Sequence, residues 1–334
     1  AAALRRRPEP SVLEVTDEGS GLRLSPEHRF ATALDRLCPQ GSLGLAVSGG
    51  PDSLALLLLA AAARPGEVEA ATVDHGLRPE SGAEAAMVAE VCARMGVKHS
   101  IFPVTVPAGA SSQRQAREAR YEALGGWARQ RGLCAIATAH HADDQAETLL
   151  MRLARGSGLA GLAGVREQRP LMPGVRLIRP LLDLRKSELV ALVEAAGLKP
   201  VDDPSNHDGR HDRTRVRALL GTDGLLDPLR LARSAAALGE AEEALQWTVA
   251  GLAAERLRQD GPALLLSAGD LPPELQRRLL LAGLKQFGVA EPRGTDVERA
   301  LARLRGGAAC TLGGIKLEGG AAWRLSPAPP RRGA

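Results

Sequence analysis

Ser48-Gly49-Gly50-Pro51-Asp52-Ser53 is the stretch of this chain whose residue types are best matched to chemistry. It follows one apolar run, Leu43 to Val47, and leads into another, Leu54 to Ala63. That order predicts a strand, a tight glycine turn and a helix. A glycine pair lets backbone N–H groups close round an anion with no Cβ in the way. The helix start adds unpaired N–H groups and the favourable end of the helix dipole. Ser48 and Ser53 can donate hydroxyls, and Asp52 can hold a magnesium ion against phosphate oxygens. Together these residues predict a pyrophosphate cradle. It is not a Walker loop, because no Gly-Lys-Ser/Thr follows. The plainer alternative is a glycine pair that only tightens the turn.

A second polar cluster runs from Thr138 to Thr148, Thr-Ala-His-His-Ala-Asp-Asp-Gln-Ala-Glu-Thr. On a helix, Asp144 and Glu147 share one face. Such a pair can bind an ammonium group, or coordinate magnesium together with a phosphate. An acidic first helical turn also suits the dipole with no further role. His140 and His141 could suggest a metal site but lack a third ligand at zinc spacing, and hydrogen bonding to phosphates suits them equally. Arg213, Arg215 and Arg217 alternate along one face if extended and spread if helical. They read either as a nucleic-acid contact or as a solvated basic run.

These clusters need a frame. Helices are expected over 26–37, 81–95, 112–132, 143–155 and 186–196, and strands over 43–47, 70–73, 98–104, 133–138 and 175–178. Strands separated by helices imply an α/β fold with a doubly wound parallel sheet covered on both faces. In such sheets the ligand lies beyond the carboxyl ends of the strands, where both clusters fall. A smaller, mainly helical domain is expected to follow, with helices over 225–257, 273–287 and 296–305 and a short β-hairpin over 308–326. The expected division is a flexible extension over 1–27, a catalytic domain over 28–222, a second domain over 223–326 and a tail over 327–334.

Composition narrows the function classes. The 334 residues are 44% hydrophobic and 25% charged, which suits an ordinary globular protein with room for two cores. Cys38, Cys92, Cys134 and Cys310 form no Cys-x-x-Cys, which argues against a zinc ribbon, an iron–sulfur site or a redox pair. Free thiols in a reducing cytosol are expected. No signal-like segment opens the sequence, and Leu54 to Ala63 is too short an apolar run to span a bilayer. A cytoplasmic protein without a membrane partner is expected. The net charge of +4 makes nucleic acid plausible and no more. Aromatic residues are too sparse for a visible base-stacking platform, and Trp127 at helical spacing reads as core.

The hexapeptide resembles the loop of the N-type ATP pyrophosphatases, or PP-loop proteins. The resemblance narrows with Asp74-His75-Gly76-Leu77-Arg78-Pro79-Glu80-Ser81, Arg117-Glu118-Ala119-Arg120-Tyr121, the run Thr138 to Gly158, and Arg179-Pro180-Leu181-Leu182. Asp203-Pro204-Ser205-Asn206 and Arg213-Thr214-Arg215-Val216-Arg217 extend it. In that order these blocks resemble the tRNA(Ile)-lysidine synthase family. The resemblance implies ATP-dependent ligation of L-lysine to C2 of the wobble cytidine of tRNA(Ile) with a CAU anticodon, through an adenylated tRNA. It implies ATP and Mg²⁺ at Ser48, Gly49, Gly50, Pro51, Asp52 and Ser53, with Asp52 as the metal ligand and His75 and Arg78 at the nucleotide. Asp144 and Glu147 would hold lysine, Arg120 would lie in the active site, and Arg213, Arg215 and Arg217 would meet the tRNA. A homodimer is also compatible with the family.

Two departures from the family pattern stand out. Thr214 replaces the usual asparagine. The carboxy-terminal region is also shorter than in members with an additional tRNA-gripping domain. Two rival readings are a thiolase-type PP-loop enzyme and a tRNA-binding protein with an inactive ATP site.

Overall fold

The computed structural model describes residues 13–14, 23–74, 81–104, 112–201, 212–221 and 225–329. The chain divides into two units, Ala1–Gly239 and Glu240–Ala334. The first holds β1 (Leu13–Glu14), β2 (Arg23–Leu24), α1 (Pro26–Leu37), β3 (Leu43–Ala46), α2 (Pro51–Ala63), β4 (Val68–Asp74), α3 (Ser81–Met95) and β5 (Lys98–Pro103). There follow α4 (Ser112–Arg131), β6 (Ala135–Ala137), α5 (Ala142–Ala154), α6 (Leu159–Leu162), β7 (Gln168–Met172), β8 (Val175–Ile178), α7 (Lys186–Ala195) and α8 (Asp212–Leu220). The division between the units falls within α9 (Pro228–Arg256). Among the described residues, no helix is long and apolar enough to cross a membrane.

The first unit is built on a six-stranded sheet of order β5-β4-β3-β6-β8-β7. All its pairings are parallel except β7 with β8, so the sheet is the doubly wound one expected. Successive residues of each strand point to opposite faces. Leu43, Leu45, Val47, Ala70, Ala135, Ala137 and Ile178 join a core with α1, α2, α3 and α7. Ala71, Ile136, Val175 and Leu177 join another with Leu124, Trp127 and Ala128 of α4. Gly44 lies under that second core. A Cβ there would meet Ile136 at 2.5 Å and the Trp127 ring at 2.8 Å, so only glycine lets α4 sit so close. Trp127 is 4% exposed and belongs to the core, as its spacing indicates.

Strand β7 is the one element of the sheet that periodicity missed. Pro170 interrupts it, and a proline confines a strand to a sheet edge or an irregularity. Both hold: β7 is the edge strand, and its register shifts between Pro170 and Met172. The sulfurs of Cys38 and Cys134 lie side by side, with Cα atoms 7.3 Å apart, wider than a disulfide spans without backbone movement; Cys92 and Cys310 are free.

The second unit holds β9 (Leu257–Asp260), β10 (Ala263–Leu266), α10 (Pro273–Gln286), α11 (Gly294–Arg305), β11 (Ala309–Leu312), β12 (Ile315–Glu318) and β13 (Trp323–Pro327). The expected helices are present, but the sheet exceeds a short hairpin. Five antiparallel strands run in the order β11-β12-β13-β10-β9. Strands β9 and β10, four residues each, follow directly on a long helix and are not among the expected elements. Leu264, Leu266, Leu317, Trp323 and Leu325 form a core with Leu279, Leu280, Leu284, Leu301 and Leu304 of α10 and α11.

Candidate active site

The turn between β3 and α2 is held mainly by atoms close to it in sequence. Ser53 is 6% exposed. Its Oγ accepts from the Ser48 N–H at 3.2 Å and the Gly49 N–H at 3.1 Å, and donates to the Gly50 carbonyl at 3.0 Å. The loop amides therefore converge on one point, as an anion cradle requires. Gly49 has φ +91°, and a Cβ there would crowd Val201, Met87 and Val88 at 3.1–3.3 Å. Its carbonyl accepts from the Val201 N–H at 3.0 Å. Pro51 opens α2, where its missing N–H is no loss. Asp52 follows, and its Oδ1 is buried without a hydrogen-bond partner in the structure.

Helix α5 begins just past β6 and is fastened on several sides. The Ala142 N–H donates to the Leu184 carbonyl at 2.9 Å, and the Asp143 carboxylate accepts from the Lys186 N–H at 2.8 Å. Gln145 bonds both the N–H and the carbonyl of Val165. So fixed, the helix turns Asp144 and Glu147 to one side. There they meet α8. Arg213 Nε donates to Glu147 Oε2 at 2.5 Å, and its Nη2 to Asp144 Oδ1 at 2.9 Å. Arg217 Nε donates to Glu147 Oε1 at 2.6 Å. The Glu147 side chain is 3% exposed, against 46% for Arg213 and 34% for Arg217.

Between these halves lies a cavity of about 280 Å³. Ser48, Gly50, Asp52 and Ser53 form one wall, and Arg117, Arg120 and Tyr121 of α4 another. Thr138, Ala139, His140, Asp144 and Arg213 also line it. It opens at the carboxyl ends of β3, β4 and β6, where the strand order reverses direction. Arg117 and Arg169 stack on Tyr121, with guanidinium carbons 5.2 and 4.7 Å from the ring centre. Burial pulls the Arg120 guanidinium below its ordinary value, and Arg117 adds to the effect. Arg179 is 2% exposed and donates to the Arg166 carbonyl, so it lies inside the unit.

The adjacent histidines meet opposite fields. Burial strips His140 of its proton and brings its pKa down to about 4, with Arg179, Arg117 and Arg213 adding to the effect. Its Nδ1 lies 3.0 Å from Thr138 Oγ1. Burial also opposes charge on His141, but Asp143, Asp52 and Asp144 outweigh it and raise the pKa to about 10. His141 Nε2 lies 3.5 Å from Asp52 and 3.6 Å from Asp144, so one imidazolium spans the two halves of the site. Burial works against the Asp52 charge, yet His141, Lys186 and Arg217 hold its pKa below the usual carboxylate value.

The structure thus brings Ser48, Gly50, Asp52, Ser53, Arg120 and Asp144 to one cavity, and links Glu147 to it through Arg213. Arg215 is exposed on α8 and does not line the cavity. His75 and Arg78, and the segment Asp203 to Asn206, lie outside the described residues. Sequence reasoning read His141 as a hydrogen-bonding partner of phosphate, not as the link between two carboxylates, and gave Arg117 and Tyr121 no role. The available signals were a histidine directly before an acidic helix turn, and an arginine and tyrosine four residues apart on the helix that carries Arg120.

The PP-loop domain family matches residues 25–223. Over 314 residues the chain is 49% identical to a tRNA(Ile)-lysidine synthase of Novosphingobium aromaticivorans, covering 91% of this chain and 94% of that one. It is 44% identical over 299 residues to a tRNA(Ile)-lysidine synthase of Zymomonas mobilis, covering 88% and 91%. Among solved structures it is similar to a U34-tRNA thiolase from Methanococcus maripaludis, with a TM-score of 0.54 at 19% identity over 64% of this chain and 78% of that one. That last likeness is one of fold.

Proposed function

The chain belongs to the tRNA(Ile)-lysidine synthases of the PP-loop family, and on that premise we propose how its cavity divides the reaction. It is an ATP-dependent enzyme that ligates L-lysine to C2 of the wobble cytidine of tRNA(Ile) with a CAU anticodon. The C2 oxygen is a poor leaving group, so it first attacks the α-phosphate of ATP and pyrophosphate leaves. The lysine ε-amine then attacks C2, a proton is lost from nitrogen, and AMP departs with the former C2 oxygen. The resulting lysidine pairs with A in place of G, which moves the codon from AUG to AUA and the identity from methionine to isoleucine.

The observation that carries this reading is a single cavity walled by a phosphate-type loop on one side and a carboxylate on another. The amides of Ser48 and Gly49, the start of α2 and the hydroxyls of Ser48 and Ser53 receive the departing pyrophosphate. Ser53 Oγ now occupies the point on which those amides converge, so phosphate binding replaces that hydroxyl as their acceptor. Asp144 and Glu147 hold the lysine ammonium, and a carboxylate there can take the proton from the attacking amine. Arg120, across the cavity from the loop, faces the activated cytidine and its phosphate. Arg213, Arg215 and Arg217 contribute positive charge to the RNA.

The site suits a magnesium ion supported by substrate. Among the described residues, no cluster of three acidic, histidine or cysteine side chains could hold a metal alone. Asp52 offers a buried, unpartnered oxygen, and magnesium commonly takes one or two carboxylates together with phosphate oxygens. Bound there, the ion would neutralise charge on the departing pyrophosphate. No cysteine lines the cavity, which leaves thiolase chemistry without a sulfur carrier in it. The substrates place the enzyme in the cytoplasm.

Pyrophosphate release from ATP tests the assignment, measured with and without CAU tRNA(Ile) and with each amino acid. Release should need that tRNA, and turnover to modified tRNA should need lysine. Release without tRNA, or turnover indifferent to lysine, would sink the substrate assignment.

A further inference from the structure

In the structure Asp144 and Glu147 are both paired with cations. Each Glu147 oxygen accepts from one arginine of α8. Asp144 Oδ1 accepts from Arg213, and its Oδ2 accepts from the His141 N–H at 3.3 Å. A carboxylate as buried as Glu147 needs a positive partner at all times, because an unpaired charge there is strongly disfavoured. A lysine ammonium and the two guanidinium groups therefore compete for the same oxygens.

The two sides of this contact differ in access. Glu147 is shielded, while Arg213 and Arg217 keep a third or more of their side chains open to solvent. Arg215 is exposed on the same helix. A phosphate oxygen pair accepts a guanidinium fork in the same geometry as a carboxylate does. A polyanion reaching α8 can thus take over both arginines with their hydrogen bonds conserved. Asp144 and Glu147 would then be left in need of another cation. We propose that Arg213 and Arg217 keep the amine subsite closed, and that backbone phosphates of the RNA substrate open it by drawing these arginines away. The inference rests on Asp144 and Glu147 being the lysine subsite. It makes RNA binding strengthen lysine binding and couples the two ligands reciprocally.

Isothermal titration of the full chain with L-lysine, with and without CAU tRNA(Ile) and with ATP omitted, tests this. RNA should tighten lysine binding at least tenfold. In the RNA-free protein, Arg213→Gln should tighten lysine binding by a similar factor, and the gain on adding RNA should shrink accordingly. Arg217→Gln, which leaves Glu147 paired with Arg213, should move both quantities in the same direction and serves if the first variant does not fold. Equal lysine affinity of the wild type with and without RNA overturns the gate, and so does unchanged or weaker binding by the arginine variants. Glu147→Gln separates the two levels of the argument. If it binds lysine as the wild type does, the lysine subsite lies elsewhere and the premise fails. If it loses lysine while the arginine variants gain nothing, the gate alone fails.

Discussion

The two halves of the cavity reach a satisfied resting state by different routes. In the phosphate half, the Ser48 and Gly49 amides close on Ser53, five and four residues away. In the carboxylate half, Glu147 is neutralised by arginines 66 and 70 residues downstream. The first arrangement forms as soon as the strand–turn–helix forms. The second exists only when the tertiary fold delivers α8. A local cradle can be rigid and waiting, whereas a remote counter-ion can be withdrawn, so the amine half is the one open to control by another ligand.

The most forceful way to break this contrast is to remove both remote cations. Arg213→Gln combined with Arg217→Gln leaves Glu147 as a buried, uncompensated carboxylate. The expected loss in chemical unfolding at neutral pH is about 3–5 kcal/mol. Glu147→Gln should cost clearly less, because the two arginines are open enough to be hydrated. Saturating lysine should restore part of the loss in the double variant, since it supplies the missing cation and binds only the folded state. Equal losses for the two changes would erase the asymmetry.

The phosphate half should fail in function rather than in folding. Asp52→Asn removes a carboxylate whose Oδ1 bonds to nothing in the structure, while His141 keeps Asp143 and Asp144 nearby. Pyrophosphate release should slow by about 10²–10³, the usual cost of losing one preorganised electrostatic group, with little change in melting temperature. Inside the loop a finer contrast applies. Gly49→Ala forces a side chain onto φ +91° against Val201 and Met87, and should cost about 1–3 kcal/mol of stability. At Gly50 a Cβ would find only Ser48 Oγ, at 4.0 Å, and φ is −71°. Gly50→Ala should therefore cost no more than about 1 kcal/mol. Thermal unfolding of the two variants side by side checks this.

The same local-versus-remote distinction governs what the sequence could reveal. The cradle was legible because its donors, its acceptor and the start of its helix all fall between Ser48 and Ser53. The parallel sheet was legible from apolar runs between helical spacings, and β7 was not, because Pro170 breaks the pattern a strand would show. The acidic face of Asp144 and Glu147 follows from helical spacing alone. Its pairing with Arg213 and Arg217 does not, because nothing in an arginine-rich run says whether it faces phosphate, water or a carboxylate far upstream. The bridging position of His141 between carboxylates was hidden for a similar reason. Its charge depends on Asp52, which lies on another element, as well as on its own neighbours Asp143 and Asp144.

The gentlest probe is at the seam between the halves, where two neighbouring histidines should titrate on opposite sides of neutrality. The His140 resonance should stay that of neutral imidazole until the pH nears about 4, and the His141 resonance that of imidazolium until about 10. The stability signs follow. His140, with its pKa lowered, contributes fully above the unfolded value of about 6.5 and loses that contribution as the pH falls toward its folded value. His141, with its pKa raised, contributes fully below about 6.5 and loses that contribution as the pH rises toward its folded value. His140→Asn should flatten the acid limb of the stability curve and His141→Asn the alkaline limb. Histidine-labelled protein followed by NMR gives the two midpoints directly. Midpoints that coincide near 6.5 would mean that the carboxylates of the two halves do not share His141 and that the halves are electrostatically independent.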